Sequence, residues 1–279
     1  MVAYSRMVHV PNWIELEGVV NMRDVGGLPT AGGDLVLPRR LLRSDNLQDL
    51  QPESVRALLE TYLVSDVVDL RTHVEVAREG EGPLMQVDRV RFHHFTLYQE
   101  DSLETGIPAA ERALPWEVDE QRAGVGAPAR NGHRPSHDDF WSDHYLSYLA
   151  TRPESVVAAL RAVSRSEGAA IVHCAAGKDR TGTIVGLALK IVGVTDEAVI
   201  ADFAASAERV PQILERLRSK PAYAENMRGK TVAQQSPKSD TMRLLLAALE
   251  SRFGGVHGWL EAQGWSREDT ERMELKLLG

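Results

Sequence analysis

The sequence contains a single cysteine, Cys174, among 279 residues. Because there is no second cysteine, no intramolecular disulfide forms, and the fold does not depend on an oxidising compartment. The same scarcity excludes a cysteine-rich zinc site, and the sequence predicts neither a bound metal nor a cofactor. A lone cysteine is most often a small buried hydrophobic residue. The neighbours of Cys174 favour a reactive role instead.

Long apolar segments are also missing. No window holds the roughly 20 apolar residues that a membrane-spanning helix needs. The N-terminal residues lack a basic stretch followed by an apolar one, which a signal peptide requires. We therefore expect no integral membrane association and a cytoplasmic location, an expectation that leaves signal-independent secretion open.

Positive charge is in short supply. The chain has 32 lysine and arginine residues against 40 acidic ones, for a net charge of −8. Bulk charge therefore gives no attraction to nucleic acid or to anionic membranes, and no nucleic-acid partner is expected. An anionic substrate must be held by local positive charge. Only six basic residues are lysines, and the first of them is Lys178, which makes a lysine at that position informative.

Hydrophobic patterns place strands and helices in alternation over the first two thirds of the chain. Strands are predicted at residues 63–70, 90–97 and 169–174. Helices are predicted at residues 51–61, from residue 151 onward and at residues 180–192. Thr151 and Glu154 have the spacing of a capping box at the start of the second helix. The alternation predicts an α/β fold with a mainly parallel central sheet flanked by helices.

Two parts of the chain depart from this alternation. Residues 195–279 show helical patterns alone and predict a helical C-terminal part of the same single domain, residues 1–279. Residues 99–137 contain four prolines and four glycines and have no regular period. Two interpretations stay open for this segment, a flexible surface insertion or a mobile element over the active site.

The segment that indicates chemistry is IVHCAAGKDRTG, residues 171–182, between an apolar strand and an apolar helix. Cys174 and Arg180 enclose five residues, enough for the loop to curl around one tetrahedral anion. A loop that enters a helix N-terminus directs several backbone N–H groups at one point, and the helix dipole adds positive potential. Gly177 permits a close backbone approach or a positive φ. The expected phosphate-site residues of this segment are His173, Ala175, Ala176, Gly177, Lys178, Asp179, Arg180 and Thr181.

Within this loop, Cys174 is the expected nucleophile. Its thiolate attacks phosphorus to give a phosphocysteine, which water then hydrolyses. The N–H dipoles and Arg180 favour the thiolate, and the planar guanidinium of Arg180 binds two phosphate oxygens at once. We expect His173 to order the loop by hydrogen bonding, and Thr181 to donate to the sulfur and ease its departure.

The loop sequence HCAAGKDRTG resembles the signature of the protein tyrosine phosphatase superfamily. More narrowly it resembles the atypical bacterial tyrosine phosphatases, whose loop reads HCxAGKDRTG. Three other segments are similar to motifs of that family: NMRDVGG at 21–27, LRSDNL at 42–47 and VDLRT at 68–72. The C-terminal FGGVHGWLEAQGWS also resembles a family pattern, but Gly255 and Trp259 replace its usual serine and tyrosine. The resemblance implies a tyrosine-phosphatase fold that hydrolyses phosphotyrosine, with phosphoserine, phosphothreonine or phosphoinositide as further substrates.

The reaction also needs a carboxylic acid across the phosphate from Cys174, to protonate the leaving oxygen. Asp69 is the first candidate because it ends a predicted strand, where ligands bind in open α/β sheets, and because it resembles the aspartate of the family's D-L-R element. Asp179 is the second candidate. It lies inside the loop, although Arg180 beside it favours the ionised form. A third set is Asp138, Asp139 and Asp143.

Arg23 and Asp24, from the motif at 21–27, have two interpretations. They form a structural turn and ion pair, or they add positive potential and an edge to the phosphate site. We keep both as candidate phosphate-site residues.

The leading functional prediction is a cysteine-dependent phosphatase acting on a phosphorylated protein or a phosphoinositide. One alternative is sulfurtransferase or arsenate reductase chemistry, which also uses a cysteine in an anion-binding loop. An arsenate reductase usually needs partner cysteines, and this chain has none. A second alternative is a phosphate-binding module without catalysis, for which a damaged nucleophile or acid is expected.

Overall fold

A computed structural model of the chain describes residues 10–100, 107–115 and 137–279, without the side chains of 137–140. Six strands form one sheet in the order β1-β2-β3-β6-β4-β5. The strands are β1 Asn12–Trp13, β2 Arg23–Asp24, β3 Leu41–Ser44, β4 Val64–Asp69, β5 Arg91–His94 and β6 Ala169–His173.

The sheet is parallel in its larger part. Strands β3, β6, β4 and β5 pair in parallel, whereas β1 and β2 are joined to β3 by antiparallel pairing. Strand β6 has a partner on each side, and all five of its residues are buried, as expected for a central strand of a parallel sheet. The predicted α/β fold with a mainly parallel sheet is confirmed. The three strands before Val64 were not predicted.

Helices cover the sheet and make up the described elements of the last third. They are α1 Pro52–Glu60, α2 His73–Glu79, α3 His137–Thr151, α4 Pro153–Ser164, α5 Asp179–Ile191, α6 Asp196–Ala205, α7 Val210–Arg218, α8 Val232–Gln235, α9 Ser239–Phe253, α10 Gly255–Ala262 and α11 Arg267–Leu277. Short 3₁₀ turns lie at Pro83–Gln86, Ala109–Glu111 and Ser206–Arg209.

The predicted capping box at Thr151 is wrong. Thr151 is the last residue of α3, and its hydroxyl donates to the carbonyl of Ser147 at 2.7 Å. Helix α4 begins at Pro153 after Arg152, which provides no side-chain cap. Only Arg152 separates the two helices. Thr151 still belongs to the first helix, so it does not cap the second.

The two faces of the sheet bury separate apolar clusters. Alternation along β4 sends Val67 to the cluster that contains α1, and Val68 to the cluster that contains α4 and α5. Leu245, Trp259 and Met273 from the C-terminal helices belong to the same cluster as Val68. The C-terminal helices therefore pack on the sheet through one shared core.

Most of the segment predicted as an insertion, residues 101–106 and 116–136, lies outside the described residues. Of its described part, Glu100 accepts a hydrogen bond from the backbone N–H of His73 at 3.1 Å, at the start of α2. No helix in the described ranges is both long and apolar enough to cross a membrane.

Candidate active site

The loop between β6 and α5 starts at Cys174, whose side chain is 2% exposed. Gly177 has a φ of +65°, and a Cβ there would lie 2.4 Å from the carbonyl oxygen of Ser44. Glycine is therefore required both by the backbone conformation and by the close approach of β3. The result is a tight turn that delivers the chain into the first turn of α5.

The backbone N–H groups of this loop lack acceptors among the described residues. In the described part of the chain, no N–H of residues 175–181 donates a hydrogen bond, and Lys178 at the start of α5 gives no side-chain cap. Buried N–H groups without acceptors are uncommon in folded proteins. Their position at a helix N-terminus, next to Cys174, suits an anion.

The carbonyl groups of the same loop are bonded outward. Asn21 donates to the carbonyls of Ala176 and Gly177 at 2.9 and 3.2 Å, and Arg43 donates to Gly177 at 2.9 Å. The backbone N–H of Asn46 donates to the carbonyl of Ala175 at 3.1 Å. Because the carbonyls are held on the outside, the N–H groups turn to the inside.

Arg23 lies in this supporting layer and does not line the phosphate site. It is fully buried, bonds Asp202 of α6 at 2.8 Å and donates to the side-chain oxygen of Asn21 at 3.0 Å. Asp202 also pairs with Arg43 at 2.5 Å. Burial opposes the charge on Asp202, but the two arginines lower its pKa to about 2.

Asp24 is likewise structural. Its carboxylate accepts the backbone N–H groups of Gly26 and Arg39 at 2.8 and 2.6 Å, which closes a turn. Burial raises the pKa of Asp24 in spite of these bonds. Neither Arg23 nor Asp24 lines the loop cavity, the cavity that Cys174, Asp179 and Arg180 line, so the structure does not support their inclusion among phosphate-site residues.

Arg180, in the first turn of α5, is held by Glu75 of α2. Its two terminal nitrogens lie 2.6 and 2.9 Å from the two carboxylate oxygens of Glu75. Burial disfavours the charge on Arg180, but Glu75 and Cys174 raise its pKa well above the ordinary value. The Nε–H of Arg180 has no acceptor in the part of the chain that the structure describes.

Asp69 is committed to a different partner. Asp69 ends β4, as predicted. The guanidinium of Arg71 donates hydrogen bonds to both carboxylate oxygens at 2.7 to 3.0 Å, and the backbone N–H of Arg71 donates to Oδ1. Burial opposes ionisation, yet Arg71 holds the pKa of Asp69 well below the ordinary value. A carboxylate bound in this way does not suit the predicted role of general acid, because it carries no proton to give.

His173 and Thr181 lie behind the loop. Burial lowers the pKa of His173 to about 4, so its ring is neutral at pH 7. Its Nδ1 lies 3.4 Å from the carbonyl oxygen of Cys174. The expected hydrogen bond from Thr181 to the sulfur is not formed. The hydroxyl of Thr181 is buried and has no hydrogen-bond partner in the described structure.

Asp179 and Lys178 face the loop cavity. Asp179 accepts a hydrogen bond from the hydroxyl of Tyr145 in α3, and its other oxygen lies 3.6 Å from the ammonium of Lys178. Lys178 donates to the backbone carbonyl of Gln235 at 2.6 Å and lies 5.7 Å above the ring of Trp141. Among the acidic residues that the structure describes, Asp179 alone lines the same cavity as Cys174.

The cavity has a volume of about 570 Å³, and Cys174, Asp179 and Arg180 line it. Helix α7 contributes an apolar wall of Val210, Ile213, Leu214 and Leu217, and further lining comes from Tyr98, Trp141, His144, Tyr223, Asn226 and Lys230. Asp143 is exposed on α3 and does not line it. The side chains of Asp138 and Asp139 lie outside the described residues.

A second cavity, of about 600 Å³, lies at the sheet edge between β5 and α4. Asp66, Arg91 and His93 line it, but no cysteine, serine or threonine does. The loop cavity is therefore the better candidate for the chemistry, although it is slightly smaller.

Three residues of the site were not predicted from the sequence: Glu75, Asn21 as a loop support, and Tyr145. Glu75 had one local signal, the T-x-x-E pattern from Thr72, and its Oε2 does accept the N–H of Thr72 at 2.7 Å. That pattern explains the start of the helix. It does not indicate that Glu75 binds Arg180, which is 105 residues away in the sequence. Tyr145 had no local signal.

A loop that carries a cysteine between a central parallel strand and a helix, with an arginine in the first turn of that helix, is the arrangement that the sequence predicts for a tyrosine phosphatase. Residues 14–279 match the model of the tyrosine phosphatase family. The chain belongs to this family, and it is a protein-tyrosine-phosphatase, a phosphoric monoester hydrolase.

Individual proteins agree with this assignment. The chain is 29% identical to the triple specificity protein phosphatase PtpB of Mycobacterium tuberculosis, over 95% of this chain and 99% of that protein. It is 27% identical to a tyrosine-protein phosphatase of Nostoc commune, over 51% of this chain and 50% of that protein. A solved structure of TpbA from P. aeruginosa aligns with 87% of this chain and 98% of that one, at 16% identity and a TM-score of 0.30. This last likeness is too weak to inform on function.

Proposed function

We propose that this enzyme hydrolyses phosphotyrosine monoesters through a covalent phosphocysteine on Cys174. One observation carries the proposal: in the described structure, the N–H groups of residues 175–181 have no protein acceptors, while the loop carbonyls are bonded outward by Asn21, Arg43 and Asn46. This arrangement offers a set of preorganised donors to the phosphoryl oxygens. The thiolate attacks phosphorus, the phenolic oxygen leaves, and water then cleaves the S–P bond.

Arg180 binds the phosphoryl oxygens in this scheme. Glu75 occupies the end of the guanidinium formed by its two terminal nitrogens, which leaves the side that contains Nε for the substrate. A planar cation held at a fixed angle stabilises the equatorial oxygens as charge builds on them.

Asp179 is the general acid in our proposal, in place of Asp69. Asp69 is bound by Arg71 on both oxygens, whereas Asp179 shares a cavity with Cys174 and is within reach of a bound ester. Asp179 protonates the leaving phenolic oxygen in the first step. As a carboxylate, it then takes a proton from the water that attacks the phosphocysteine.

The substrate range extends, in our proposal, to phosphoserine, phosphothreonine and phosphoinositides. A cavity of about 570 Å³ with aromatic lining from Tyr98 and Trp141 accommodates an aryl phosphate. Similarity over nearly the whole chain to a phosphatase named for triple specificity supports the wider range. Lys178 adds a second cation to the loop for substrates that carry more than one phosphate.

A turnover panel tests this proposal. Phosphotyrosyl and phosphoseryl peptides and a phosphoinositide are each offered to the wild type and to Cys174→Ser, with and without EDTA. We expect turnover by the wild type only, no effect of EDTA, and phosphate binding that survives in Cys174→Ser. Activity beyond a trace in the serine variant, or loss of wild-type activity on chelation, would show that the cysteine mechanism is wrong.

A further inference from the structure

Tyr145 of α3 contacts Asp179, the proposed general acid. The loop sequence does not indicate this contact. The hydroxyl of Tyr145 donates to Oδ1 of Asp179, and its side chain is 1% exposed. Tyr145 lies on α3 between Trp141 and Tyr148, at spacings of four and three residues that place all three on one face of the helix. Trp141 on that face lines the loop cavity.

We propose that Tyr145 is a positioning residue for Asp179. It holds Oδ1 so that the catalytic proton resides on Oδ2 and leaves from that atom. This inference rests on the proposed role of Asp179 as general acid. In the proton transfer, the O–H bond at Oδ2 of Asp179 breaks and the proton goes to the leaving oxygen. Tyr145 keeps its own proton throughout.

The surroundings of Tyr145 keep it in place and protonated. Its ring meets the ring of Phe203 of α6 edge-on, with 6.0 Å between the ring centroids, and stacks on Tyr148 with 6.1 Å between the centroids. Burial and the nearby carboxylate of Asp179 raise the pKa of Tyr145 well above the ordinary value. The hydroxyl is therefore a donor at every pH at which the enzyme works, and Oδ1 always receives a proton donor.

Other titratable and charged groups also face Asp179. Lys178 lies 3.6 Å from Oδ2, and Cys174 and Arg180 share the loop. Tyr98, after β5, and Tyr148 of α3 add neutral phenols nearby, and Lys230, which precedes α8, lines the same cavity. All of these remain when the Tyr145 hydroxyl is removed. A change in Tyr145→Phe therefore reports on that one hydrogen bond.

Tyr145→Phe keeps the ring and deletes the donor. Without that hydrogen bond, Oδ1 of Asp179 is no longer held, and Oδ2 is no longer directed at the leaving oxygen. We expect kcat for phenyl phosphate, a poor leaving group, to fall about tenfold, with kcat for p-nitrophenyl phosphate and both KM values nearly unchanged.

Tyr148→Phe is the matched control. It deletes a buried hydroxyl one turn along the same helix, and that hydroxyl bonds His144 at 2.9 Å and Tyr98 at 3.2 Å. We expect no leaving-group selectivity in this variant. In a double-mutant cycle, Tyr145→Phe should add nothing further to Asp179→Asn, because its effect passes through that carboxyl.

Two outcomes separate this inference from the proposal beneath it. If Asp179→Asn selectively slows phenyl phosphate while Tyr145→Phe has no effect or slows both substrates equally, the positioning role is overturned and the general acid stands. If Asp179→Asn slows both substrates equally, Asp179 is not the acid, and the role of Tyr145 falls with it.

Discussion

Glu75 binds both terminal nitrogens of Arg180, and the pair is almost completely buried, with side-chain exposures of 0% and 7%. Burial disfavours the charge on Glu75, but Arg180 and the backbone of Thr72 lower its pKa below the ordinary value. The pair is thus ionised and fixed before a substrate arrives. The ion pair with Glu75 therefore sets the orientation of Arg180 in the absence of substrate.

Glu75→Gln should lower kcat/KM by about 10- to 100-fold, because a neutral amide holds the guanidinium less firmly and through one acceptor only. Glu75→Ala should also destabilise the protein by about 3–5 kcal/mol, since it leaves a buried arginine without its partner. Steady-state kinetics and urea unfolding measure the two effects.

Glu79→Gln is a suitable control for both experiments. Glu79 lies one turn further along α2 and accepts the N–H of Ala222 at 3.0 Å, whereas the carboxylate partner of Arg180 is Glu75. It should leave kcat/KM close to the wild-type value. A Glu75→Gln enzyme with full activity would show that Arg180 is oriented by the loop alone.

Arg180→Lys should be nearly as inactive as Arg180→Ala, with a loss of about 100-fold or more in kcat. An ammonium cannot bond Glu75 at two points and also present a planar edge to the phosphate. The measurement is kcat for a phosphotyrosyl peptide in the three enzymes. Near-normal activity in the lysine variant would mean that the arginine supplies charge without geometry.

His173 should make the protein less stable as the pH falls from about 6.5 to about 4. Burial lowers its pKa from 6.5 to about 4. Between these values the unfolded chain binds the proton and the folded chain does not, so acid favours unfolding. The full contribution is present above pH 6.5 and about 3 kcal/mol of it is lost by pH 4. Urea unfolding at pH 7 and at pH 4.5 measures this loss.

His173→Gln should flatten this pH dependence, whereas His257→Gln, at an exposed position on α10, should not. A wild-type slope in His173→Gln would show that other groups carry the acid sensitivity.

Lys178→Ala should slow phosphoinositide hydrolysis about tenfold more than hydrolysis of an aryl phosphate. Its ammonium lines the cavity, and a charge-assisted bond to a second phosphate is worth about 1.5–3 kcal/mol. A second phosphate must compete for Lys178 with the carbonyl of Gln235, which is 2.6 Å away. kcat/KM on the two substrates decides the matter, and equal losses on both would remove this role.

The loop and the strand before it were predictable because their signals are local. Five apolar or buried residues form the strand, and the glycine at 177 marks the turn that the close approach of Ser44 requires. Strands β1 and β2 have two residues each, too few for a period of two to show. Their positions depend on pairing with β3, which is a tertiary contact.

The roles of Asp69 and Arg23 depended on information that is only partly local. Residues two apart in an extended chain point to the same side, so the D-x-R spacing of Asp69 and Arg71 already indicates an ion pair. The partner of Arg23 is Asp202, 179 residues away. Sequence reasoning therefore singled out Cys174, Arg180 and Asp179 as candidates in the loop. It did not identify Glu75 as the partner of Arg180, or Asp202 as the partner of Arg23.

The most direct test of the account is a search for the covalent intermediate. Wild-type enzyme is mixed with excess phosphotyrosyl peptide, quenched in acid within one turnover and digested, and the peptide that contains Cys174 is weighed by mass spectrometry. Because the chain has one cysteine, the assignment is unambiguous. The account predicts one phosphoryl group on that peptide, formed as fast as the phenol is released. Turnover with Cys174 unmodified at every quench time would contradict it.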